Sequence, residues 1–289
     1  MIKIRDLTFE YFDRDDEGNL TEMVNAIRGI NFDAGEGEFI VVAGVNGSGK
    51  STFAKILNRL LLPIEGTVLI GGLDAMQEEN IIPIRKMVGM VFQNPDDQLI
   101  GSVVEEDVAF GAENISVPHK ELVKRVEDAL AQVGLAASMR IEELSGGGKQ
   151  KVAIAGVLAM EPEILILDEP TAGLDPKGRD EILGVIKKLN EEKETTIILV
   201  SHSMDDVAEY VDRIIVINDG DIMYDDTPVN IFQMVDELEA IDLAAPQITY
   251  ILRDLNRMGL NVGTGIIRID DAVQTIKKAL SEYKNNMKG

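Results

Sequence analysis

The chain contains no cysteine and only two histidines among its 289 residues. A disulfide framework and a cysteine-based metal site are therefore excluded, and an intracellular location is permitted. Long hydrophobic runs are also missing, because no window approaches the roughly 18 uninterrupted apolar residues of a membrane-spanning helix. The amino-terminal segment alternates like a β-strand and lacks the apolar stretch of a signal peptide. We therefore expect any role at a membrane to depend on a partner protein.

Basic residues are scarce relative to acidic ones. The chain has 28 Lys and Arg against 51 Asp and Glu, which gives a formal net charge of −23. An acidic surface repels the phosphates of nucleic acids and anionic lipid headgroups, so we expect neither to be a direct partner. The simplest meaning of the charge is solubility. The 45% hydrophobic content is enough for one large core or two smaller ones.

A glycine-rich loop at residues 44–52, GVNGSGKST, matches the phosphate-binding pattern G-x-x-x-x-G-K-[ST] at every fixed position. The apolar run 39–43 before it predicts a buried strand, and 53–61 after it has helical spacing. This context favours nucleotide binding over a merely flexible turn, because backbone N–H groups and the positive helix end face one anion. We expect Lys50 to reach the β- and γ-phosphates and Ser51 to ligate Mg²⁺. The expected nucleotide-binding residues are Gly44, Asn46, Gly47, Ser48, Gly49, Lys50, Ser51 and Thr52.

An apolar strand that ends in paired carboxylates is the second signal. Residues 164–167 are fully apolar and lead into Asp168 and Glu169. In isolation, a solvated acidic turn is the more common meaning of such a pair. Beside a complete phosphate loop the pair predicts catalysis, because phosphoryl transfer needs a metal and an oriented nucleophile. We expect Asp168 to hold Mg²⁺ and Glu169 to orient and deprotonate the attacking water.

Three other side chains follow predicted strands. His202 comes after a second buried strand, and the carboxyl ends of parallel strands line the ligand crevice of α/β sheets, so we interpret it as a group that polarises or senses the γ-phosphate. Gln93 follows the apolar run 87–92, and its amide is a candidate for contact with the metal or the water. Tyr11 ends the first strand and is a candidate for stacking on adenine. A structural role is the alternative for His202, and a core or edge aromatic is the alternative for Tyr11.

A second anion-binding construction, Ser145-Gly146-Gly147, stands at the start of a predicted helix. A chain with one phosphate loop has no obvious use for it. The economical interpretation is that Ser145, Gly146 and Gly147 bind a nucleotide that another subunit holds.

The order of predicted elements is mixed α/β. Antiparallel-looking strands at the amino terminus, joined by an acidic turn over 13–19, precede alternating strands and helices. Residues 103–160 show no β pattern and predict a helical insertion. The tail from Pro228 is mostly helical, with predicted helices over 231–238, 246–258 and 271–283. The sequence therefore predicts a nucleotide-binding domain over 1–227, with a helical subdomain at about 95–160, and an accessory extension over 228–289.

Taken together, these motifs resemble the ATP-binding cassette (ABC) family, the motor subunits of ABC transporters. Walker A is matched by 44–52, the Q-loop by Gln93 and the signature by 144–150. Walker B is matched by 164–169 and the D-loop by 172–175. His202 matches the switch histidine, and Tyr11 matches the adenine-stacking aromatic. The resemblance covers about residues 1–226. It implies a P-loop NTPase fold with a RecA-like mixed sheet core, an antiparallel β subdomain and a helical subdomain. It also implies ATP and Mg²⁺ as cofactors, Glu169, His202 and Gln93 as catalytic residues, and Ser51, Gln93 and Asp168 as metal ligands.

Three stretches narrow the resemblance. Residues 92–98 (FQNPDDQ), 104–111 (VEEDVAFG) and the tail at 245–260 are similar to the ATPases of energy-coupling factor (ECF) transporters, which import vitamins or transition-metal ions. The resemblance implies a head-to-tail dimer with a second ABC ATPase subunit, of the same or a different kind. It further implies docking on a transmembrane coupling subunit (EcfT type) and indirect work with a membrane substrate-binding subunit (EcfS type). The expected location is peripheral, on the cytoplasmic side of the cell membrane.

One position departs from the family signature, because Gly148 stands where glutamine is usual. Ser145 and the backbone N–H groups remain, so anion binding is expected to survive in a looser loop. Two other protein classes share the phosphate loop. A cassette ATPase of DNA repair or translation would be expected to carry a basic patch or a coiled-coil insertion, and a small-molecule kinase would lack the signature loop. A soluble ABC-type ATPase that is not coupled to transport stays as the alternative function.

Overall fold

Two β-sheets and a set of helices build the fold, and the computed structural model describes residues 1–14, 20–208 and 210–286. The strands in chain order are β1 (Ile2–Arg14), β2 (Leu20–Ala34), β3 (Phe39–Ala43), β4 (Glu65–Ile70), β5 (Leu73–Asp74), β6 (Val88–Val91), β7 (Ile164–Asp168), β8 (Thr196–Ser201), β9 (Arg213–Asn218) and β10 (Asp221–Asp226). The helices in chain order are α1 (Lys50–Leu57), α2 (Ile81–Met87), α3 (Val104–Asn114), α4 (His119–Val133), α5 (Gly146–Leu158), α6 (Pro176–Lys193), α7 (Met204–Val207), α8 (Pro228–Gln233), α9 (Val235–Glu239), α10 (Gln247–Arg257) and α11 (Ile269–Asn286).

The larger sheet has six strands in the order β10-β9-β3-β8-β7-β6. Neighbouring strands from β9 to β6 pair in parallel, and β10 adds an antiparallel edge. Every residue of β3, β7 and β8 is buried, as continuous β-branched and leucine-rich runs predict for a sheet covered on both faces. The smaller sheet is antiparallel, with the order β2-β1-β4-β5.

The two faces of the larger sheet contribute to two separate apolar clusters. Ile40 and Val42 of β3 pack with α1 and with the inner face of the smaller sheet, so α1 lies between the two sheets. Phe39 and Val41 of the same strand pack on the opposite side, with α3 to α6. This alternation follows from the two-residue period of a strand. Helix α1, which begins at the glycine-rich loop, is therefore held at a fixed position over the sheet.

The tail after residue 227 divides its side chains between two clusters. Ile231 and Phe232 of α8 are buried in the core of the larger sheet. Leu252 of α10 and Ala272 of α11 instead form a small cluster of their own. The boundary predicted between 227 and 228 therefore stays a prediction, with α8 and α9 packed on the main core. No helix in 1–14, 20–208 or 210–286 combines the length and apolarity needed to cross a membrane.

Most predicted elements have counterparts at shifted boundaries. The helical insertion corresponds to α3, α4 and α5, although Val103 and Arg140 form an isolated β-bridge within it. The predicted helix over 231–238 is interrupted at Met234, which has φ −86° and ψ +50°. The short helices α2 and α7 were not anticipated. Of the predicted acidic turn, residues 13 and 14 belong to β1, and 15–19 lie outside the described residues.

Candidate functional site

The glycine-rich loop packs closely against β9 of the larger sheet and β2 of the smaller sheet, and glycine is required at both contacts. Gly44 has φ +152°, and a Cβ there would lie 2.2 Å from the carbonyl oxygen of Ile217. Gly49 has φ +109°, and a Cβ there would lie 2.4 Å from the carbonyl oxygen of Ala26. Any larger residue would collide with backbone atoms, so these two glycines determine how β3 turns into α1.

Lys50 begins α1 and folds back over the loop. Its Nζ donates to the carbonyl oxygens of Gly44 at 2.9 Å and Val45 at 2.8 Å. The side chain is buried, and this burial lowers the pKa of Lys50, an effect that the nearby carboxylates of Glu169 and Asp168 oppose. Because both hydrogen-bond acceptors of this ammonium group are neutral, its charge is well placed to receive a phosphate.

Two further observations suit the loop to a phosphate chain. No side chain caps the first turn of α1, so its N–H groups face the loop without a side-chain acceptor. The hydroxyl of Ser48 is buried and has no hydrogen-bond partner within the described residues. Asn46 and Gly47 form the exposed tip of the loop. A buried donor such as the Ser48 hydroxyl costs free energy until an acceptor satisfies it, and phosphate oxygens are suitable acceptors.

Ser51 and Asp168 join the glycine-rich loop to the end of β7. Ser51 Oγ donates to Asp168 Oδ1 at 3.0 Å. Burial raises the pKa of Asp168, the bond from Ser51 opposes this shift, and the neighbouring Glu169 charge adds to it. A hydroxyl and a carboxylate are ligands that Mg²⁺ accepts when phosphates and water complete its shell. The described ranges contain no cluster of three or more His, Cys, Asp or Glu suited to a metal.

Glu169 lies between two side chains that follow neighbouring strands. Its Oε1 is 3.0 Å from Nδ1 of His202, and its Oε2 accepts from Nε2 of Gln93 at 3.1 Å. Strands β6, β7 and β8 are adjacent and parallel, so the residues after their carboxyl ends meet at one edge. Glu169 has φ +47°, and its N–H donates to the carbonyl of Val200 at 3.0 Å. Strained backbone of this kind is concentrated at functional sites.

Tyr11 lies beside the first turn of α1. Its hydroxyl is 3.2 Å from Oγ1 of Thr52, which anchors the ring to the phosphate-loop helix. The ring packs edge-on against Phe9, with centroids 4.9 Å apart and planes at 75°. The side chain remains 40% exposed. A flat, partly exposed ring held this close to the loop is suited to stacking on an aromatic base.

The second predicted anion site lies on a different helix. Ser145 caps α5 by accepting a hydrogen bond from the N–H of Gly148 at 3.2 Å. A Cβ on Gly147 would lie 3.3 Å from Cδ2 of Leu174, so the segment at 172–174 packs on this turn. A cavity of about 350 Å³ lies between these segments and residues 94–96. The structure thus brings Gly44–Thr52, Asp168, Glu169, His202 and Gln93 together. Ser145–Gly147 form a second, separate group at the start of α5.

Sequence reasoning did not single out Gln98, which ties this region together. Its Oε1 accepts from the N–H of Phe92 at 3.1 Å, and its Nε2 donates to the carbonyl of Ala153 in α5 at 3.3 Å. A short 3-10 helix at Pro95–Asp97 brings it there. The signal in the sequence is Asn94 followed by a proline, because this pair is typical of a helical turn that begins after Gln93.

Comparison with known proteins identifies the family. The family model described as ABC transporter matches residues 27–172. The chain is 45% identical over 278 residues to the energy-coupling factor transporter ATP-binding protein EcfA1 of Clostridium perfringens, covering 96% of this chain and 97% of that protein. The structure of cbiO1 from the same species, part of the ABC transporter complex cbiONQ, has a TM-score of 0.72 and 36% identity, covering 87% of this chain and 98% of that one.

A dimeric ATP-binding cassette, solved in a post-hydrolysis state with ADP and Pi, is also similar. It has a TM-score of 0.70 and 32% identity, and the match covers 79% of this chain and 99% of that one. These likenesses confirm the predicted ABC cassette architecture of a mixed sheet, an antiparallel sheet and helices. The chain therefore belongs to the ABC transporter family and, within it, to the ATP-binding proteins of energy-coupling factor transporters.

Proposed function

We propose that this chain is the ATP-binding and ATP-hydrolysing subunit that powers an ECF importer for vitamins or transition-metal ions. The observation that carries the proposal is the convergence of the phosphate loop, Asp168 and the group Gln93–Glu169–His202 at one sheet edge. Membership among ECF transporter ATP-binding proteins supports hydrolysis coupled to transport. The same relatives favour this function over that of an ABC-type ATPase that is not coupled to transport.

The triphosphate lies in the glycine-rich loop, and the base rests on Tyr11. Lys50 exchanges its two carbonyl acceptors for oxygens of the β- and γ-phosphates, and the uncapped first turn of α1 supplies backbone N–H groups. Ser48 gains the acceptor that its buried hydroxyl needs. The ring of Tyr11, held by Thr52, sets how far the base lies from the phosphates. The other proposed contacts come from Gly44, Asn46, Gly47, Gly49 and Ser51.

Ser51, Asp168 and Gln93 are the proposed magnesium ligands. A magnesium ion held there would neutralise charge on the phosphates of the bound nucleotide. The buried carboxylate of Asp168 fits this role, because a nearby cation offsets the cost that burial imposes on its charge. The amide nitrogen of Gln93 donates to Glu169, so the amide oxygen of Gln93 would be the atom that holds the metal.

Glu169 is the proposed general base. One carboxylate oxygen accepts a proton from the attacking water, while His202 and Gln93 keep the carboxylate in place on either side. Its side chain is only 11% exposed, which limits competition from bulk water for the carboxylate. His202 polarises the γ-phosphate once that group is bound.

A second ABC ATPase subunit, identical or related, completes the nucleotide-binding site. Ser145, Gly146 and Gly147 supply a helix N-terminus to the ATP that the partner subunit holds. The dimeric state of the similar cassette with ADP and Pi supports this arrangement. ATP binds the closed dimer better than the open one and shifts the population toward closure. Loss of the γ-phosphate bridge lets the dimer reopen.

An apolar groove is the proposed dock for the transmembrane coupling subunit. The groove has a volume of about 270 Å³ and runs between α3, α5 and β6. Ile100 is 65% exposed and Phe110 is 46% exposed at the rim of the groove. Exposed apolar side chains that share one groove are typical of a surface that binds a partner protein. The groove also contains Phe92 and Gln98, which flank the catalytic Gln93. The chain thereby sits peripherally at the cytoplasmic side of the cell membrane, with the substrate-binding membrane subunit reached only indirectly.

A pull-down from detergent-solubilised membranes tests this function. The tagged chain should retain a second cassette and a polytopic membrane protein, and the complex should release phosphate from MgATP without forming a phosphorylated small molecule. Recovery of the chain without membrane subunits, together with full ATPase activity, would favour the uncoupled ATPase. A phosphorylated product would favour a kinase.

A further inference from the structure

Helix α5 begins with three consecutive glycines, Gly146 to Gly148, and this turn carries the proposed contacts to the partner's nucleotide. Glycine has the lowest helix propensity after proline, because ordering it costs the most backbone entropy. Within the helix, Ser145 accepts from Gly148 through its hydroxyl at 3.2 Å and from Lys149 through its backbone carbonyl at 2.9 Å. Contacts from outside the helix are needed to offset the remaining entropic cost of the three glycines.

Lys149, the first residue after the glycines, makes such a contact. Its Nζ lies 2.6 Å from Oδ1 of Asp96, in the short 3-10 helix Pro95–Asp97. That helix is itself fixed, because Asn94 caps it by accepting from the N–H of Asp96 at 3.3 Å. The lysine side chain is 25% exposed and the aspartate 62% exposed, so the pair lies at the surface.

The segment 93–98 is connected at both ends. At one end Gln93 donates to the carboxylate of Glu169, and at the other Gln98 donates to the carbonyl of Ala153 in α5. Gln98 also lines the apolar groove. The segment thus contacts the catalytic carboxylate of its own chain, the proposed docking groove and the helix that presents the glycine turn.

We propose that Lys149 and Asp96 are positioning residues, whose ion pair holds the glycine turn of α5 in fixed register with segment 93–98. The pair keeps the donors of Ser145 to Gly147 aimed at the nucleotide of the partner subunit. Through Asp96, a displacement of segment 93–98 by a docked protein moves the glycine turn as well as Gln93. This inference rests on the proposed dimeric ATPase function, and it adds two residues that touch neither nucleotide nor metal.

The test measures ATP hydrolysis by full transporter complexes in which one charge of the Lys149–Asp96 pair is removed or the two charges are exchanged. The variants are Lys149→Met, Asp96→Asn and the double exchange Asp96→Lys with Lys149→Asp. Partly exposed ion pairs contribute a factor of about two to five in an equilibrium constant. We therefore expect each single variant to raise KM for MgATP about twofold to fivefold, with kcat changed less than about twofold. The exchanged pair should return KM to within about twofold of the wild type.

A matched control separates positioning from general loss of charge. Lys188 on α6 is 64% exposed and pairs with Glu192 one turn away, so Lys188→Met removes the same charge at a site remote from the glycine turn. It should leave KM unchanged. Binding of a fluorescent ATP analogue to the isolated full chain should also be the same for all variants, because the phosphate loop is untouched.

The outcomes separate this inference from the function on which it rests. Unchanged KM in both single variants, or an exchanged pair no better than the single variants, overturns the positioning role while leaving the ATPase function intact. A loss of kcat alone, with KM unchanged, indicates a merely structural role and also overturns it. A wild-type complex that does not hydrolyse ATP overturns both.

Discussion

Nδ1 of His202 lies 3.0 Å from Oε1 of Glu169, so a histidine that follows one parallel strand holds a carboxylate that follows the next. Gln93 holds the other carboxylate oxygen from the far side. The carboxylate therefore has a fixed orientation before any nucleotide arrives. Preorganisation of this kind is what a general base in phosphoryl transfer requires.

The first prediction concerns this carboxylate. Glu169→Gln keeps the shape of the side chain and its contacts but removes its basicity. We expect kcat for ATP hydrolysis to fall about 10²-fold to 10⁴-fold, which is the usual contribution of a general base. Phosphate release under saturating MgATP measures it. Retention of more than about a tenth of the wild-type rate would remove Glu169 from this role.

Lys50→Ala removes the cation from the phosphate loop. Because Lys50 begins α1 and folds over the loop, we expect nucleotide binding or hydrolysis to fall severely, by about two orders of magnitude in kcat/KM. Lys188→Ala, which removes an exposed lysine charge from α6, is the control and should keep most of the activity. Titration with a fluorescent ATP analogue, followed by steady-state hydrolysis, reports both steps. Near-normal turnover by Lys50→Ala would count against the assignment.

The ring of Tyr11 can be separated from its hydroxyl. Tyr11→Ala removes the stacking surface, and we expect affinity for ATP to fall about threefold to tenfold, in line with aromatic contacts of about 0.5–1.5 kcal/mol. Tyr11→Phe loses only the bond to Thr52 and should bind nearly as well as the wild type. Equilibrium binding to the separated chain is the measurement. Equal losses in both variants would show that the hydroxyl, not the ring, matters.

Asp168 gives a prediction about pH and stability. Because burial raises the pKa of Asp168 above its ordinary value of 3.8, the folded chain retains this proton to higher pH than the unfolded chain. The free energy of unfolding therefore falls as pH rises from the ordinary value through the raised one, and stays lowered above it. Asp168→Asn removes this titration. We expect the nucleotide-free variant to unfold at a higher temperature than the wild type at pH 7.

The advantage of Asp168→Asn should shrink as pH falls through the raised pKa of Asp168, because the wild-type carboxyl of the folded chain then takes up its proton. Thermal unfolding at several pH values, with nucleotide and magnesium removed, checks it. The same variant should lose hydrolysis, because the amide is a poorer magnesium ligand than the carboxylate. A variant less stable than the wild type at pH 7 would contradict the role of burial.

Local sequence was sufficient to predict that the residues of the phosphate loop and of the strand ends lie close together. The glycine loop is recognisable because an apolar strand precedes it and a helix follows it. The polar residues after β6, β7 and β8 are predicted to meet because strand ends converge in a parallel sheet. The expectation of an ECF-type ABC ATPase is confirmed by relatives that match almost the whole chain. The individual roles of Glu169, His202 and Gln93 stay predictions.

Contacts between distant segments could not be predicted in the same way. The ion pair of Lys149 with Asp96 joins residues more than fifty positions apart, and neither residue lies in a strand whose pairing would reveal it. The interruption at Met234 was equally hidden, because the apolar spacing of 231–238 suits one helix and only tertiary packing divides it. Helical propensity also gave no warning of the left-handed φ of Glu169, which depends on the turn after β7.

Two cassettes that close over ATP should stay together when hydrolysis is blocked. The full chain carrying Glu169→Gln, together with its partner cassette, is analysed by size-exclusion chromatography with light scattering, with and without MgATP. We predict a persistent ATP-dependent dimer that is lost when Lys50→Ala is added. A chain that binds ATP but stays monomeric under these conditions, with its partner present, would contradict it.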